Sequence, residues 1–399
     1  MKHTRVLVIF ILFGLLFSCS KLKKKEELTK IPYFSFFEYC NSPPDSNISA
    51  TINSIKKHLE SDNCKQLYDT ISKSHYLDLS NGAPIRSLAP FVFFKKLYTI
   101  DFSGNKIENL KPLLYMTQLK GLNLSNNRIS NVIPLKFLLN IEGLNLSHNR
   151  LTDINALSKL AKLKALDVSN NNITNIIKSK NGFISLRGLN LKSNNLTNTD
   201  FLQSMIHLEG LDLSHNKIKE IYSLSNAKAL ETFYAHNNSI QDISSLENLS
   251  NLHILNLSHN RISRLSSLYQ LKNLLSLYLS YNHIKDITPL SNLKDLQGLS
   301  IQHNKIDTLP PFHRLTSIKA LEINHNQIRN INSLKYLKNI ETLNISNNKI
   351  NDIYPLKELP SLKSFKIFPN PITPRRFQCP VDAQTIKIAK MCRKYLGIR

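Results

Sequence analysis

The sequence predicts an α/β fold in which short parallel strands stack as successive coils of one solenoid. Three observations lead to this fold class. An Asn recurs at a nearly constant spacing of 22 residues, each Asn follows a Leu-x-Leu alternation, and apolar residues make up 41% of the 399 residues. This composition supplies a core, whereas ten glycines are few for nucleotide-cradling loops or a collagen-like repeat. The repeat therefore predicts one solenoid, although the chain length alone would favour two or three domains.

The recurring Asn sets the register of the repeat. Every step is 22 residues except one of 23, between Asn171 and Asn194. A degenerate first copy, Leu77-Asp78-Leu79-Ser80 with Gly82 in the Asn slot, makes 14 copies over about residues 74–372. The Asn positions are Asn105, Asn127, Asn149, Asn171, Asn194, Asn216, Asn238, Asn260, Asn282, Asn304, Asn326, Asn348 and Asn370.

One copy illustrates the mechanics of the repeat. In Leu122-Asn123-Leu124 the alternation has period 2, which predicts a short strand with its leucines inward and its Asn outward. Asn127 follows where the chain turns inward, and its amide can both donate and accept hydrogen bonds. We therefore expect the recurring Asn residues to form a structural ladder that satisfies buried backbone groups. No copy can bury its apolar face alone, so stability comes from stacking.

The copies resemble bacterial leucine-rich repeats of the 22-residue internalin-like class. Two copies show the likeness well: Asn260-Arg261-Ile262 followed by leucines at 265, 268 and 271, and Asn282-x-Ile284-x-x-Ile287-x-Pro289-Leu290. The resemblance implies a curved right-handed coil with its parallel sheet on the concave face, where the family binds ligands. With strands about 4.8 Å apart, 14 of them would span roughly 65 Å.

The N-terminus reads as a targeting segment. Lys2 and Arg5 precede an apolar run over residues 6–17, which is too short to span a bilayer. Leu16-Phe17-Ser18-Cys19 resembles the lipobox of bacterial lipoprotein signals, which implies cleavage before Cys19 and its acylation. We expect a signal peptide over 1–18, a lipidated flexible tether over 19–32, and lipid anchoring in the cell envelope, at the outer membrane or cell surface. An ordinary signal peptide cut near Ser18 is the alternative.

Caps are expected at both ends of the repeat domain, because the end coils would otherwise expose core. Residues 33–73 lack the repeat and predict a helical N-terminal cap. Asp45-Ser46-Asn47 is suited to begin a helix carrying Ile48 and Ile52, and the spacing of Cys64, Leu67 and Ile71 indicates a second. Residues 373–399 predict a small cap with a helix over about 383–395, and this ending resembles the C-terminal cap of bacterial leucine-rich repeat proteins.

Four cysteines fall in these two caps. Of the three possible pairings, two would join caps separated by the whole solenoid, beyond the reach of a disulfide. Cys40–Cys64 with Cys379–Cys392 is the pairing that remains, and outside the cytosol it would persist. Free thiols buried as small apolar groups are the alternative. Because no Cys-x-x-Cys spacing exists, we predict no zinc site and no cofactor.

The outward strand positions suggest a binding patch. The middle outward position of each strand is mostly Asp, Asn or Ser, and two aromatics interrupt it, Tyr234 and Tyr278, about 10 Å apart. Tyrosines are favoured in interface hot spots. The alternative is ordinary surface tyrosine. The predicted partner-binding residues are Tyr234, Tyr278, Tyr281, Asn256, His259 and Asp212.

Histidine repeatedly precedes the ladder Asn. His303 and His325 would lie about 5 Å apart on neighbouring strands, with His283 nearby, which raises the hypothesis of zinc or copper binding. No carboxylate is spaced to complete such a site, and Asn126, Asn170 and Asn347 replace His at this position. We therefore interpret Ser-His-Asn as repeat consensus and predict no metal. The histidines are His148, His215, His259, His303 and His325.

A row of cations follows the ladder Asn. Part of the net charge of +24 lies in this row. We therefore expect the row to attract anionic partners such as acidic polysaccharide, anionic lipid or acidic protein. A solvated face is the alternative, and no nucleic-acid recognition motif is present. The row comprises Lys106, Arg128, Arg150, Lys217, Arg261, Lys305 and Lys349.

The sequence favours a binding protein over an enzyme. It contains no His-Glu-x-x-His, Gly-x-Ser-x-Gly or phosphate-loop motif, and its outward carboxylates lie on separate strands. The leading hypothesis is a monomeric surface lipoprotein that binds protein or acidic glycan on the concave face, and the resemblance implies adhesion to host or other cells. Two alternatives remain: a periplasmic or envelope scaffold lipoprotein, and an intracellular repeat protein of the phosphatase-regulator type.

Overall fold

The structure is a computed structural model that describes residues 35–80, 82, 84–179 and 182–372. The described chain forms two compact units. The first runs to Leu196 and includes Phe201–Leu208, and the second comprises Thr197–Asp200 and the chain from Glu209 onward. The predicted signal peptide, Cys19, the C-terminal cap and the Cys379–Cys392 pair lie outside the described residues.

Three helices open the first unit: α1 (Phe36–Asn41), α2 (Ser46–His58) and α3 (Cys64–Lys73). The predicted α2 begins where expected, because Asp45 Oδ1 accepts hydrogen bonds from the Asn47 and Ile48 N–H groups at 2.8 and 2.9 Å. The predicted α3 is likewise confirmed. Sequence reasoning missed α1, which has only six residues and therefore no readable period; a capping box between Ser35 and Glu38 begins it.

The three helices close the first end of the repeat core. Cys40 of α1 and Cys64 of α3 form a disulfide, with their Cα atoms 5.9 Å apart, as the pairing predicted. Phe36 is 1% exposed and packs edge-on against Phe94, with ring centroids 5.1 Å apart. The apolar side chains of the first coil are thereby shielded from water.

One three-residue strand occurs in each repeat, as predicted. Neighbouring strands within each unit are parallel, and their central apolar residues are in register and buried. The first unit holds β1 (Tyr76–Asp78), β2 (Thr99–Asp101), β3 (Gly121–Asn123), β4 (Gly143–Asn145), β5 (Ala165–Asp167) and β6 (Gly188–Asn190). The second holds β7 (Gly210–Asp212), β8 (Thr232–Tyr234), β9 (Ile254–Asn256), β10 (Ser276–Tyr278), β11 (Gly298–Ser300), β12 (Ala320–Glu322), β13 (Thr342–Asn344) and β14 (Ser364–Lys366).

Short 3₁₀ helices return the chain on the side away from the strands. Each places one Leu or a comparable apolar residue in the core, such as Leu290, which is 0% exposed. Several carry Pro as their second residue, where its missing N–H costs nothing because the first turn has no partner for that N–H within the helix. The 3₁₀ helices span Ala89–Phe93, Lys111–Tyr115, Ile133–Phe137, Asn155–Lys159, Asp200–Ser204, Tyr222–Asn226, Ser244–Leu246, Ser266–Leu268, Thr288–Asn292, Asn332–Tyr336 and Tyr354–Glu358.

The ladder Asn side chains join neighbouring coils. Asn260 is 6% exposed, and its Oδ1 accepts from the Ile240 N–H of the preceding coil at 2.9 Å. Its Nδ2 donates to the Ala235 carbonyl of that coil at 2.9 Å and to the Leu257 carbonyl of its own at 3.0 Å. The same pattern recurs in both units, for example at Asn127 and Asn326.

The residue before the ladder Asn, here called the turn position, has a left-handed backbone in every copy from Asn105 to Asn348. Its φ lies between 51° and 56° at eleven non-glycine positions. Asn and His tolerate this region better than most residues, which explains why the two exchange here. The eleven residues are Asn126, His148, Asn170, Ser193, His215, Asn237, His259, Tyr281, His303, His325 and Asn347.

Within the described ranges, no helix combines the length and the hydrophobicity that crossing a bilayer would require.

Candidate functional site

The last residue of most strands has a structural role that the sequence analysis did not recognise. An Asp or Asn at this position accepts, through Oδ1, a hydrogen bond from the backbone N–H two residues later at 2.7–3.3 Å. This local bond forms the turn that leaves the strand. It occurs at Asp78, Asp101, Asn123, Asn145, Asp167, Asn190, Asp212, Asn256 and Asn344.

Asp or Asn is absent from this position in five strands of the second unit. Strands β8, β10, β11 and β12 end in Tyr234, Tyr278, Ser300 and Glu322, the last strand β14 ends in Lys366, and β9 keeps Asn256. A tyrosine has no acceptor close enough to its own backbone to replace Asp or Asn. These strand ends therefore lack the stabilising turn hydrogen bond that most other strand ends make, which indicates a specialised region.

Tyr234 and Tyr278, here called the tyrosine pair, flank Asn256 across three paired strands. Tyr278 is 40% exposed, whereas Tyr234 is half-buried. Burial raises the pKa of Tyr234, and the nearby Tyr278 and Asp212 raise it further. The Tyr234 phenol therefore stays neutral at physiological pH, and both tyrosines present a hydroxyl beside apolar ring surface.

Beside the tyrosine pair, four rings at consecutive turn positions form one stack. His259 and His303 lie on either face of Tyr281, each with centroids 4.1 Å from its own, and His325 follows His303 at 4.0 Å. Each pair of planes is inclined by 12°. We call these four residues the ring column. Because the faces cover one another, the ring edges are what a ligand would meet.

One imidazole of the ring column, that of His303, resists protonation. Partial burial, and then repulsion from His325 and His259, lowers the pKa of His303 below its ordinary value. The Nε2 atom of His325 lies 3.2 Å from Nδ2 of Asn347, so the amide of the next coil closes that end of the stack. Tyr281 is 43% exposed, and its hydroxyl adds a hydrogen-bonding group to the row.

The predicted cationic row lies on exposed positions directly after the ladder Asn. Their N–H groups bond the preceding coil, as Lys305 does to the Ile284 carbonyl at 2.8 Å, which fixes the backbone of the row. Arg128 pairs with Glu108 at 3.5 Å. Among the described residues, neither Arg261 nor Lys305 has a carboxylate partner, so both charges remain available to an anionic ligand.

Among the described residues, which include the stacked histidines, no three His, Cys, Asp or Glu side chains are grouped so that they could hold a metal ion. Imidazole nitrogens bind a metal in the plane of the ring. In parallel rings 4.0 Å apart these directions run side by side rather than converging.

The structure brings most of the predicted partner-binding residues together. Tyr234, Asn256 and Tyr278 are neighbours in register, and His259 and Tyr281 stack beside them. Asp212 pairs in register with Tyr234, but its Oδ1 serves the turn to Ser214. Sequence reasoning missed His303 and His325 as members of the site. The signal was present, since four consecutive turn positions carry rings.

Comparison with known proteins agrees with this architecture. Models of leucine-rich repeats match residues 117–173 and, in overlapping copies, residues 228–270, 250–292 and 272–312. The fold is that of a leucine-rich repeat protein. The predicted leucine-rich repeat solenoid is thereby confirmed.

Solved leucine-rich repeat structures include bacterial proteins similar to this chain. An internalin of Listeria monocytogenes, InlF, is 25% identical with a TM-score of 0.66, over 84% of this chain and 92% of its own. A leucine-rich repeat protein of Leptospira interrogans has the same identity and TM-score, over 84% of this chain and 97% of its own. The functional domain of InlJ from Listeria monocytogenes is 21% identical with a TM-score of 0.71, over 85% and 72% of the two chains. A search of curated proteins finds no match to the sequence.

Proposed function

We propose that this protein is a non-enzymatic, lipid-anchored surface protein that binds a protein or glycan partner on the strand face of its second unit. The binding region comprises the tyrosine pair and the ring column. Leucine-rich repeats are commonly protein-binding scaffolds, and the likeness to internalins supports a role in adhesion. The lipobox-like Leu16-Phe17-Ser18-Cys19 supports the lipid anchor.

One observation carries the proposal: the turn bond at the strand ends is given up where exposed rings collect. An Asn in place of Tyr278 would serve the fold better, as it does at Asn256 and Asn344. A residue that costs stability in one region, beside a stack of rings, is typical of a site kept for binding.

The first experiment compares two double variants of the purified protein. Tyr234→Ala/Tyr278→Ala removes the tyrosine pair, and Tyr222→Ala/Tyr269→Ala removes two exposed tyrosines from the 3₁₀ side of the same unit. Binding is measured on arrays of glycans and of purified extracellular-matrix and serum proteins. Interface tyrosines often contribute more than about 1 kcal/mol each, so we expect the first variant to bind a retained partner about tenfold more weakly or worse.

The control variant should bind like the parent, and both variants should melt within a few degrees of it. Equal binding by the tyrosine-pair variant would remove the proposed site. The surface location is tested by protease treatment of intact cells followed by blotting. An adhesin is cleaved under these conditions, and a scaffold that faces the periplasm is spared.

A further inference from the structure

The strand-and-turn segments of four consecutive coils have an unusual charge pattern. They span residues 253–262, 275–284, 297–306 and 319–328, and Glu322 is their single carboxylate. Five of the chain's 13 histidines lie there, with three permanently charged cations. The titratable or charged groups of these segments are His253, His259, Arg261, Tyr278, Tyr281, His283, His303, Lys305, Lys319, Glu322 and His325.

The first unit differs at the corresponding positions. Its strands end in Asp or Asn throughout, and Glu142 stands just before β4. Its turn positions carry only one ring, His148, between Asn126 and Asn170. The strand-and-turn segments of β9–β12 therefore hold five imidazoles and one carboxylate.

We propose that these four coils bind an acidic polysaccharide whose anionic groups hydrogen-bond to the protonated histidines of the ring column. This inference rests on the proposed function and specifies the ligand chemistry of the same site. Arg261 and Lys305 lie two residues after His259 and His303 and add positive charge beside the column.

The geometry favours a linear polymer over an acidic folded protein. The rings form one continuous row with a step of 4.0–4.1 Å between centroids, because each ring occupies the same position of successive coils. A polysaccharide repeats its anionic groups along a line and can match such a row, whereas the surface of a folded protein carries no such period. A protonated imidazole carries an N–H group on each ring nitrogen, and these groups donate hydrogen bonds to sulfate or carboxylate oxygens.

Proton linkage gives the site a specific signature. In the free protein, protonating His303 is opposed by its partial burial and by the neighbouring histidines. An anion bound at the ring edges offsets this repulsion, so the complex takes up protons that the free protein does not. Binding must therefore strengthen as the pH falls through the imidazole range.

The net charge of +24 attracts any polyanion, so total affinity alone cannot test the site. The test therefore measures how much the affinity changes with pH and which residues are responsible for that change. His148 provides a matched control, because it occupies the same turn position in the first unit with asparagines at the adjoining positions. Asn is the suitable replacement at both places, because Asn126, Asn170 and Asn347 already adopt this backbone.

The experiment titrates the purified protein with dextran sulfate, neutral dextran and poly-glutamate at pH 5.5 and 7.5 and constant ionic strength. We expect dextran sulfate to bind about tenfold more tightly at pH 5.5, the worth of one charge-assisted hydrogen bond. His303→Asn/His325→Asn should remove most of this gain, and His148→Asn should keep it. Neutral dextran should not bind.

Three results would overturn the inference: no gain at pH 5.5, equal loss of the gain in His148→Asn, or poly-glutamate binding as tightly as dextran sulfate with the same dependence on His303 and His325. If one of these occurs while the tyrosine-pair variant still loses a retained partner, the acidic polysaccharide is wrong and the proposed function stands. If the tyrosine-pair variant also binds normally, both proposals fail.

Discussion

Tyr281 lies face to face with His303, with the ring centroids 4.1 Å apart and the planes inclined by 12°. Both residues occupy the turn position of their coils, with φ values of 56° and 55°. Hydrogen bonds between coils hold these backbones at one spacing, as in the bond from the Tyr281 N–H to the Gln302 carbonyl at 2.9 Å. Rings at neighbouring turn positions are therefore brought into contact by the repeat itself.

The protonation of His303 depends on its other neighbour, His325. Their centroids are 4.0 Å apart, and His325 contributes, after burial, to the lowered pKa of His303. We expect His325→Asn to raise the pKa of His303 toward its ordinary value, measured from its ring-proton chemical shift in an NMR titration. An unchanged or lower pKa would contradict the stacked arrangement.

The same shift predicts the pH dependence of stability. The folded chain binds the His303 proton less readily than the unfolded chain, because the pKa is lowered on folding. Above the ordinary imidazole pKa, His303 is neutral in both states and does not lower the free energy of unfolding. As the pH falls through that value, the unfolded chain takes up the proton first, and the free energy of unfolding decreases. Urea unfolding at pH 7.5 and 5.5 should show a smaller decrease for His303→Asn than for the parent.

The left-handed turn position restricts which residues can replace His148. We expect His148→Asn to change the free energy of unfolding by less than about 0.5 kcal/mol, because Asn tolerates this backbone. His148→Val should destabilise by about 1–2 kcal/mol, since a β-branched residue is strongly disfavoured in this backbone region. Chemical denaturation of the two variants provides the comparison, and equal stability would argue against the positive φ of 53°.

Tyr278 should be a residue at which stability and binding oppose each other. Tyr278→Asn restores an acceptor for the turn at the end of β10, as Asn256 accepts from the Ser258 N–H at 3.1 Å in the preceding coil. We expect a gain of about 0.5–1.5 kcal/mol in the free energy of unfolding, together with weaker partner binding. Tyr278→Ala is the control: it should lose binding without the gain. A destabilised Tyr278→Asn protein would undermine the structural reading of the strand ends.

The Asn ladder should contribute strongly to stability. Asn282 is 5% exposed and bonds the Ile262 N–H at 2.9 Å and the Leu257 carbonyl at 3.0 Å. Asn282→Ala leaves buried groups unpaired, so we expect a loss of about 1–3 kcal/mol for each group. Asn251→Ala is the control, because this exposed amide makes a bond to the Lys228 carbonyl that water can replace. Similar urea midpoints for the two variants would contradict the ladder.

Two carboxylates paired with lysine should change the free energy of unfolding in opposite directions as the pH changes. Glu142 is 4% exposed, and burial raises its pKa although Lys164 lies 2.6 Å away. Its stabilising contribution is therefore present below the ordinary Glu pKa and is lost as the pH rises through the raised value. The hydrogen bond from Lys363 at 2.5 Å lowers the pKa of Glu341, so that contribution is lost as the pH falls.

The two Glu→Gln variants test these opposite signs. Between pH 4 and pH 7, Glu142→Gln should gain stability relative to the parent protein, and Glu341→Gln should lose it. Urea unfolding at both pH values provides the measurement. Changes of the same sign in both variants would show that burial does not govern the ionisation of Glu142.

The sequence predicts the repeat well because its cause is local and periodic. The Leu-x-Leu alternation and the 22-residue step give one strand per coil, and the dual capacity of the Asn amide explains its column. The reason for Asp or Asn at the strand ends was missed, because polarity alone does not separate a turn acceptor from a solvated side chain. Stacking of His259, Tyr281, His303 and His325 was missed for a different reason: a shared column predicts proximity but not ring orientation.

The Asn ladder also bears on how such a chain changes through evolution. The side chain of a ladder Asn bonds its own coil and the coil before it, as that of Asn260 does with Leu257, Ile240 and Ala235. Similar gene segments can recombine unequally, which adds or removes one whole repeat. After such a change, each of these hydrogen bonds still finds a matching partner in the neighbouring coil. A lineage can thus vary the length of this protein while it keeps, elsewhere in the gene, the few codons that determine what the surface recognises.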